Sequence, residues 1–66
     1  MTMLKVIEVL AESDQGWEDA AQNAVKQAAK SVRNIKSIYI KEHEATVQGD
    51  KLLKYRVNAK ISFVLD

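Results

Sequence analysis

From Leu52 to Leu65 the chain alternates without a miss. Leu53, Tyr55, Val57, Ala59, Ile61, Phe63 and Leu65 fall on one side of an extended segment; Leu52, Lys54, Arg56, Asn58, Lys60, Ser62 and Val64 fall on the other. Strand side chains repeat every two residues, so this run predicts one long strand with a continuous apolar face. Such a face has to be covered, and the rest of the chain must supply the cover.

Upstream, Gln48–Gly49–Asp50 marks a tight turn, and Ile35 to Val47 alternates again, so the two runs form a hairpin. Alternation places Ile38 and Ile40 on one face, and Ser37, Tyr39, Lys41, His43 and Ala45 on the other. Met3 to Ala11 reads as a further strand. Leu4, Val6, Glu8 and Leu10 share one face and Lys5, Ile7, Val9 and Ala11 the other. Both faces are mostly apolar, which predicts cover on both sides.

Ser13–Gly16 breaks the pattern, and a helix is predicted from Trp17 to about Asn34. Trp17, Ala20, Ala21, Ala24, Val25, Ala28, Ala29 and Val32 form its apolar stripe. Gly16 serves as N-cap and puts Asp19 at the third helical position; Ser13 or Asp14 offers an earlier cap. Glu18 and Asp19 at the start, and Lys30 and Arg33 at the end, suit the helix dipole. Asn34 suits the left-handed conformation that ends helices. The stripe is mostly alanine, so the helix lies close on the sheet over a thin core. The order is β-α-β-β: an α+β fold with a three-stranded antiparallel sheet wrapped on one helix. The last strand lies between the other two, and the crossover is right-handed. Hairpin strands of roughly 12 residues span ~40 Å, against ~27 Å for the helix. The hairpin therefore overhangs the helix.

With 66 residues the chain is a single domain, residues 1–66, with no proline and only two glycines to form a linker. A domain this small buries only about 60% of its unfolded surface. It lacks cysteine, which excludes disulfides and thiolate metal sites. Association is the remaining source of stability, so an oligomer is expected. Ten basic residues against nine acidic ones leave no basic excess for a nucleic-acid surface. No apolar run approaches the ~18 residues that cross a bilayer. The opening MTMLKVIEVLAESD is not patterned as a signal peptide, so the cytoplasm is the expected compartment.

The opening KVIEV, the helix start WEDAA, the helix end RNI and the closing SFVLD together make the chain resemble the dodecins, over essentially its whole length. The resemblance implies a hollow homododecamer that binds small molecules for storage or sequestration and is not an enzyme. It implies flavin, FMN or riboflavin, as the usual ligand. Flavin-binding dodecins typically carry a stacking tryptophan at the position of Ser37 and a ring-edge glutamine at that of Arg56. Some that bind flavin phosphate use arginines at the positions of Glu44 and Val64. Here those positions hold serine, arginine, glutamate and valine. An aromatic wall contributes about 1–3 kcal/mol per stacked ring. Losing two walls weakens binding by about 10²-fold to 10⁴-fold. Arg56 can still pair with a carboxylate or phosphate.

The second ligand class is a cation. His43 has Glu42 and Glu44 beside it on the opposite face, so one chain offers no converging metal ligands. A threefold axis turns one carboxylate into three. Glu42, Glu44 and Asp50 are then candidates for an all-oxygen calcium or magnesium site. Trp17 reads as a packing residue, and Lys41, Lys51, Lys54, Arg56 and Lys60 as an ion-paired surface or a phosphate-binding wall. Ser13, Ser31, Ser37 and Ser62 have no His–Asp partners arranged for catalysis, and no glycine-rich phosphate loop is present.

Overall fold

The computed structural model describes residues 2–65. Strand β1 (Leu4–Ser13) leads to helix α1 (Trp17–Ala28), then to strands β2 (Ile35–Gln48) and β3 (Lys51–Val64). The sheet order is β1-β3-β2, with both neighbouring pairs antiparallel. The alternating run is thus the central strand, flanked on both sides as predicted.

The core follows from this register. Val57, Ala59, Ile61 and Phe63 of β3 are buried beneath the helix, where Ala20 and Ala24 meet them. Ile7 and Ile38 flank Ile61 from the two outer strands, and Val9 and Ile40 flank Ala59. On β1, therefore, the Ile7 face packs on the helix. The face carrying Leu4, Val6 and Leu10 stays exposed.

Three expectations are corrected. The helix ends at Ala28 rather than near Asn34. It is 12 residues long, or ~18 Å rather than ~27 Å. Lys30 and Arg33 therefore lie beyond it, and Lys26 is the basic residue of its last turn. Asn34 does adopt the left-handed conformation, with φ 63°, but at the entry to β2. Ser13, read as a break, is the last residue of β1. Finally, β2 carries an extra residue at Lys41. Ile40 pairs with Ala59 and Glu42 with Asn58. Such a bulge reverses which side each later residue faces. His43, opposite Val57, and Ala45, opposite Tyr55, therefore share the helix side with Ile38 and Ile40.

Gly16 caps the helix with φ 153°, a conformation that favours glycine. The cap uses no side chain of its own. Buried Ser13 substitutes: its hydroxyl donates to Asp19 Oδ2 at 2.6 Å and accepts from the Gln15 amide at 2.9 Å. This ties the end of β1 to the first turn of α1. Ser13→Ala is expected to cost about 1–2 kcal/mol, because it takes the acceptor from the Gln15 amide and the shorter of its two hydrogen bonds from Asp19 Oδ2, which keeps the one from Asn23 Nδ2 at 3.3 Å. An unchanged urea midpoint for the variant would disprove that role.

The hairpin overhangs the short helix more than predicted, and the molecule is 51 Å long but only 19 × 13 Å across. It exposes 5014 Å² for a mass of 7.4 kDa. A monomeric protein of that mass exposes ~4,200 Å². No helix among the described residues is long and apolar enough to cross a membrane.

Candidate functional site

The face of the sheet turned away from the helix carries most of the candidate residues. It is built as rows of directly opposed side chains. Val6, Ser62 and Ser37 form one row; Glu8, Lys60 and Tyr39 the next. Leu10, Asn58 and Glu42 follow, then Glu12, Arg56 and Glu44. The bulge at Lys41 places Glu42 and Glu44 on this open face.

At one end of the face Ser37 is exposed and shares a hydroxyl–hydroxyl hydrogen bond with Ser62. Val64 lies just beyond, opposite Leu4. Arg56 stands six residues further along β3 from Ser62, ~20 Å away by strand geometry. Ser37 and Arg56 thus share a face but cannot touch one ligand ring within one chain. Tyr39, 64% exposed, is the aromatic side chain next to Ser37 on this face.

At the other end the charges converge. Arg56 Nε lies 3.4 Å from Glu12 Oε2, and its Nη1 lies 3.7 Å from Glu44 Oε1. These half-open contacts are each worth under about 1 kcal/mol, but they set the local balance. One guanidinium faces two carboxylates, so the pairing of Arg56 with an anionic ligand is opposed from both sides. Asn58 Nδ2 donates to Glu42 Oε1 at 3.4 Å. Its Oδ1 is buried with no hydrogen-bond partner among the described residues. Leu10, Glu42, His43, Glu44 and Asn58 line a recess of about 240 Å³ here. Asp50, in the hairpin turn, lies six residues beyond Glu44, ~20 Å along the strand. The chain does not bring it to the other two. Among the described residues no three His, Asp or Glu side chains gather as a metal site.

Trp17 supports this end from behind. Its indole N–H donates to the Glu44 carbonyl at 2.9 Å. Its ring meets Tyr55 edge-on at 4.8 Å and His43 at 6.0 Å. Packing was the predicted role; the hydrogen bond to a site residue's backbone was not readable in sequence, because it joins positions 27 residues apart. Of the basic scatter, Lys41 pairs with Glu8 and Lys54 with Asp14.

The family model for Dodecin matches residues 3–66. Calcium dodecin of Mycobacterium tuberculosis is 33% identical over 63 residues, which is 96% of this chain and 89% of that protein. Its crystal structure, described as a calcium chelating antigen with a novel calcium-binding site, superposes with a TM-score of 0.83 at 31% identity. That match covers 97% of this chain and 91% of the other. A mutant of Thermus thermophilus dodecin matches with a TM-score of 0.95 at 27% identity, over 100% of this chain and 98% of that one. Streptomyces coelicolor dodecin shares the fold, with a TM-score of 0.93 at 23% identity, covering 98% and 93% of the two chains.

Proposed function

The chain belongs to the dodecin family, and from that premise we propose a non-enzymatic binding protein of the cytoplasm. It assembles as a hollow homododecamer and sequesters a small ligand. Its open face suits a hard divalent cation, calcium or magnesium, better than a flavin.

The observation that carries the cation reading is the orphaned oxygen of Asn58. A buried carbonyl oxygen without a partner is costly. It sits beside a recess already lined by Glu42 and Glu44, and carbonyl and carboxylate oxygens are the ligands calcium takes. Six to eight are needed, so carboxylates from neighbouring copies complete the shell. The relation to a protein named for calcium supports the same reading. Flavin is disfavoured on geometry: Ser37 offers no ring wall, and Arg56 is held by Glu12 and Glu44. When bound, the cation supplies charge neutralisation between copies; Glu42, Glu44 and Asn58 would hold it.

Calorimetric titration of the chelator-stripped assembly with calcium tests this. Saturable binding is expected, with a rise in melting temperature by mass action. Glu42→Gln together with Glu44→Gln should abolish both. Binding that survives the double substitution would place the ion elsewhere, and no binding to the parent protein would overturn the reading.

A further inference from the structure

On the open face the row of Glu12, Arg56 and Glu44 lies next to the row of Leu10, Asn58 and Glu42. Glu44 belongs to both neighbourhoods. It lines the recess with Glu42 and Asn58, and its Oε1 stands 3.7 Å from Arg56 Nη1. The carboxylate that a divalent ion would take is therefore already engaged by a cation of the chain's own.

We propose that Arg56 is a resident counter-cation: an incoming divalent ion displaces it from Glu44, and that exchange sets how weakly the recess holds the ion. The inference rests on the cation reading above. Arg56 acts through Glu44 and is a positioning residue, not a ligand.

Three observations carry it. First, the grip is loose. A charge-assisted hydrogen bond between nitrogen and carboxylate closes to about 2.7–2.9 Å, whereas Arg56 stands 3.4 Å from one carboxylate and 3.7 Å from the other. Its Nε is buried and has no hydrogen-bond partner among the described residues. Second, the displaced guanidinium has somewhere to go. Glu12 Oε2 flanks that same Nε, so Arg56 keeps one carboxylate, and can close the hydrogen bond its Nε lacks, once the ion takes the other. No charge is stranded by the exchange. Third, Arg56 is unshared in this role. Among the described residues the lysine ion pairs go to Glu8 and Asp14, so Arg56 alone neutralises Glu12 and Glu44. Its charge lies one row from the recess, about 7 Å by strand geometry, and it repels a divalent ion twice as strongly as a monovalent one. A guanidinium so placed lowers the affinity and makes loading reversible.

Calorimetric titration of chelator-stripped assemblies with calcium chloride, at fixed ionic strength, tests the exchange. Arg56→Met removes the charge without adding an oxygen ligand and is expected to bind calcium about 10-fold more tightly. Arg56→Lys keeps the charge and should stay within about threefold of the parent. Melting temperature at one fixed calcium concentration gives a second readout, and the calcium-dependent rise should be larger for Arg56→Met than for the parent. Glu12→Gln keeps the test decisive if Arg56→Met fails to assemble. Glu12 is exposed near the end of β1, and its loss leaves the guanidinium to Glu44 alone, so binding should weaken about threefold or more. Equal or weaker binding by Arg56→Met, an equal gain in Arg56→Lys, or unchanged binding by Glu12→Gln overturns the counter-cation and leaves the cation reading standing. Calcium binding by Arg56→Met but not by the parent upholds the counter-cation and overturns the cation reading for the parent. Binding by neither overturns both.

Discussion

Ile61→Ala will remove most of the stability of this fold. Ile61 is fully buried at the centre of the middle strand, between Ile7 and Ile38 on its neighbours. Deleting most of a buried isoleucine costs about 2–5 kcal/mol, the range reflecting how far the site can collapse. Here collapse is poor. The layer above consists of Ala20 and Ala24, whose methyl groups cannot swing into a void. A 66-residue domain commonly holds only about 3–10 kcal/mol in total. Urea denaturation at fixed protein concentration is the measurement, since assembly adds a concentration-dependent term. A loss under about 1 kcal/mol would mean that the core beneath the helix does not carry the fold. Leu10→Ala is the contrast. Leu10 is 63% exposed, so within one chain its truncation removes little burial, and any large effect must come from a partner copy.

The second large effect is a gain. Ser37→Trp combined with Arg56→Gln is expected to raise riboflavin affinity by about 10²-fold or more, the equivalent of restoring stacking on the ring. The open face has room for the indole, because Ser37 is exposed and its cross-strand partner is the small Ser62. Most of the gain should come from Ser37→Trp. Arg56→Gln frees Glu12 and Glu44 from their shared cation and acts on the ring only where a neighbouring copy brings it close. Quenching of riboflavin fluorescence reads the outcome, and emission that does not change on titration would refute it. A parent protein that already quenches flavin tightly would also overturn the argument from the missing wall.

What could be read in advance divides along physical lines. The run from Val57 to Phe63 announced the buried centre of the sheet, because a strict period of two survives any tertiary context that covers one face. The strand order was legible from the β-α-β-β sequence of elements read as a split β-α-β, with the last strand between the other two. The helix end could not be read. Ala29 and Val32 continue the apolar spacing beyond Ala28, but the backbone turns out of the helix there so that Ile35 can meet Phe63. Spacing records which residues are apolar, not when the chain must turn back. The bulge at Lys41 was equally silent. Alternation before and after it is intact, and only the phase changes, so His43 and Ala45 were assigned to the wrong side. On the open face, Glu42, Glu44 and Arg56 were legible as charged positions, whereas the Glu12–Arg56–Glu44 row needed the register of all three strands.

Trp17 is the only tryptophan in the chain, and its indole grips the backbone of Glu44 from the helix side while the Glu44 side chain faces the opposite surface. The protein is thereby fitted with its own optical sensor. If a cation binds the Glu44 carboxylate as proposed, the pull on the backbone that holds the indole is expected to shift the ultraviolet emission of Trp17, with no dye or label attached.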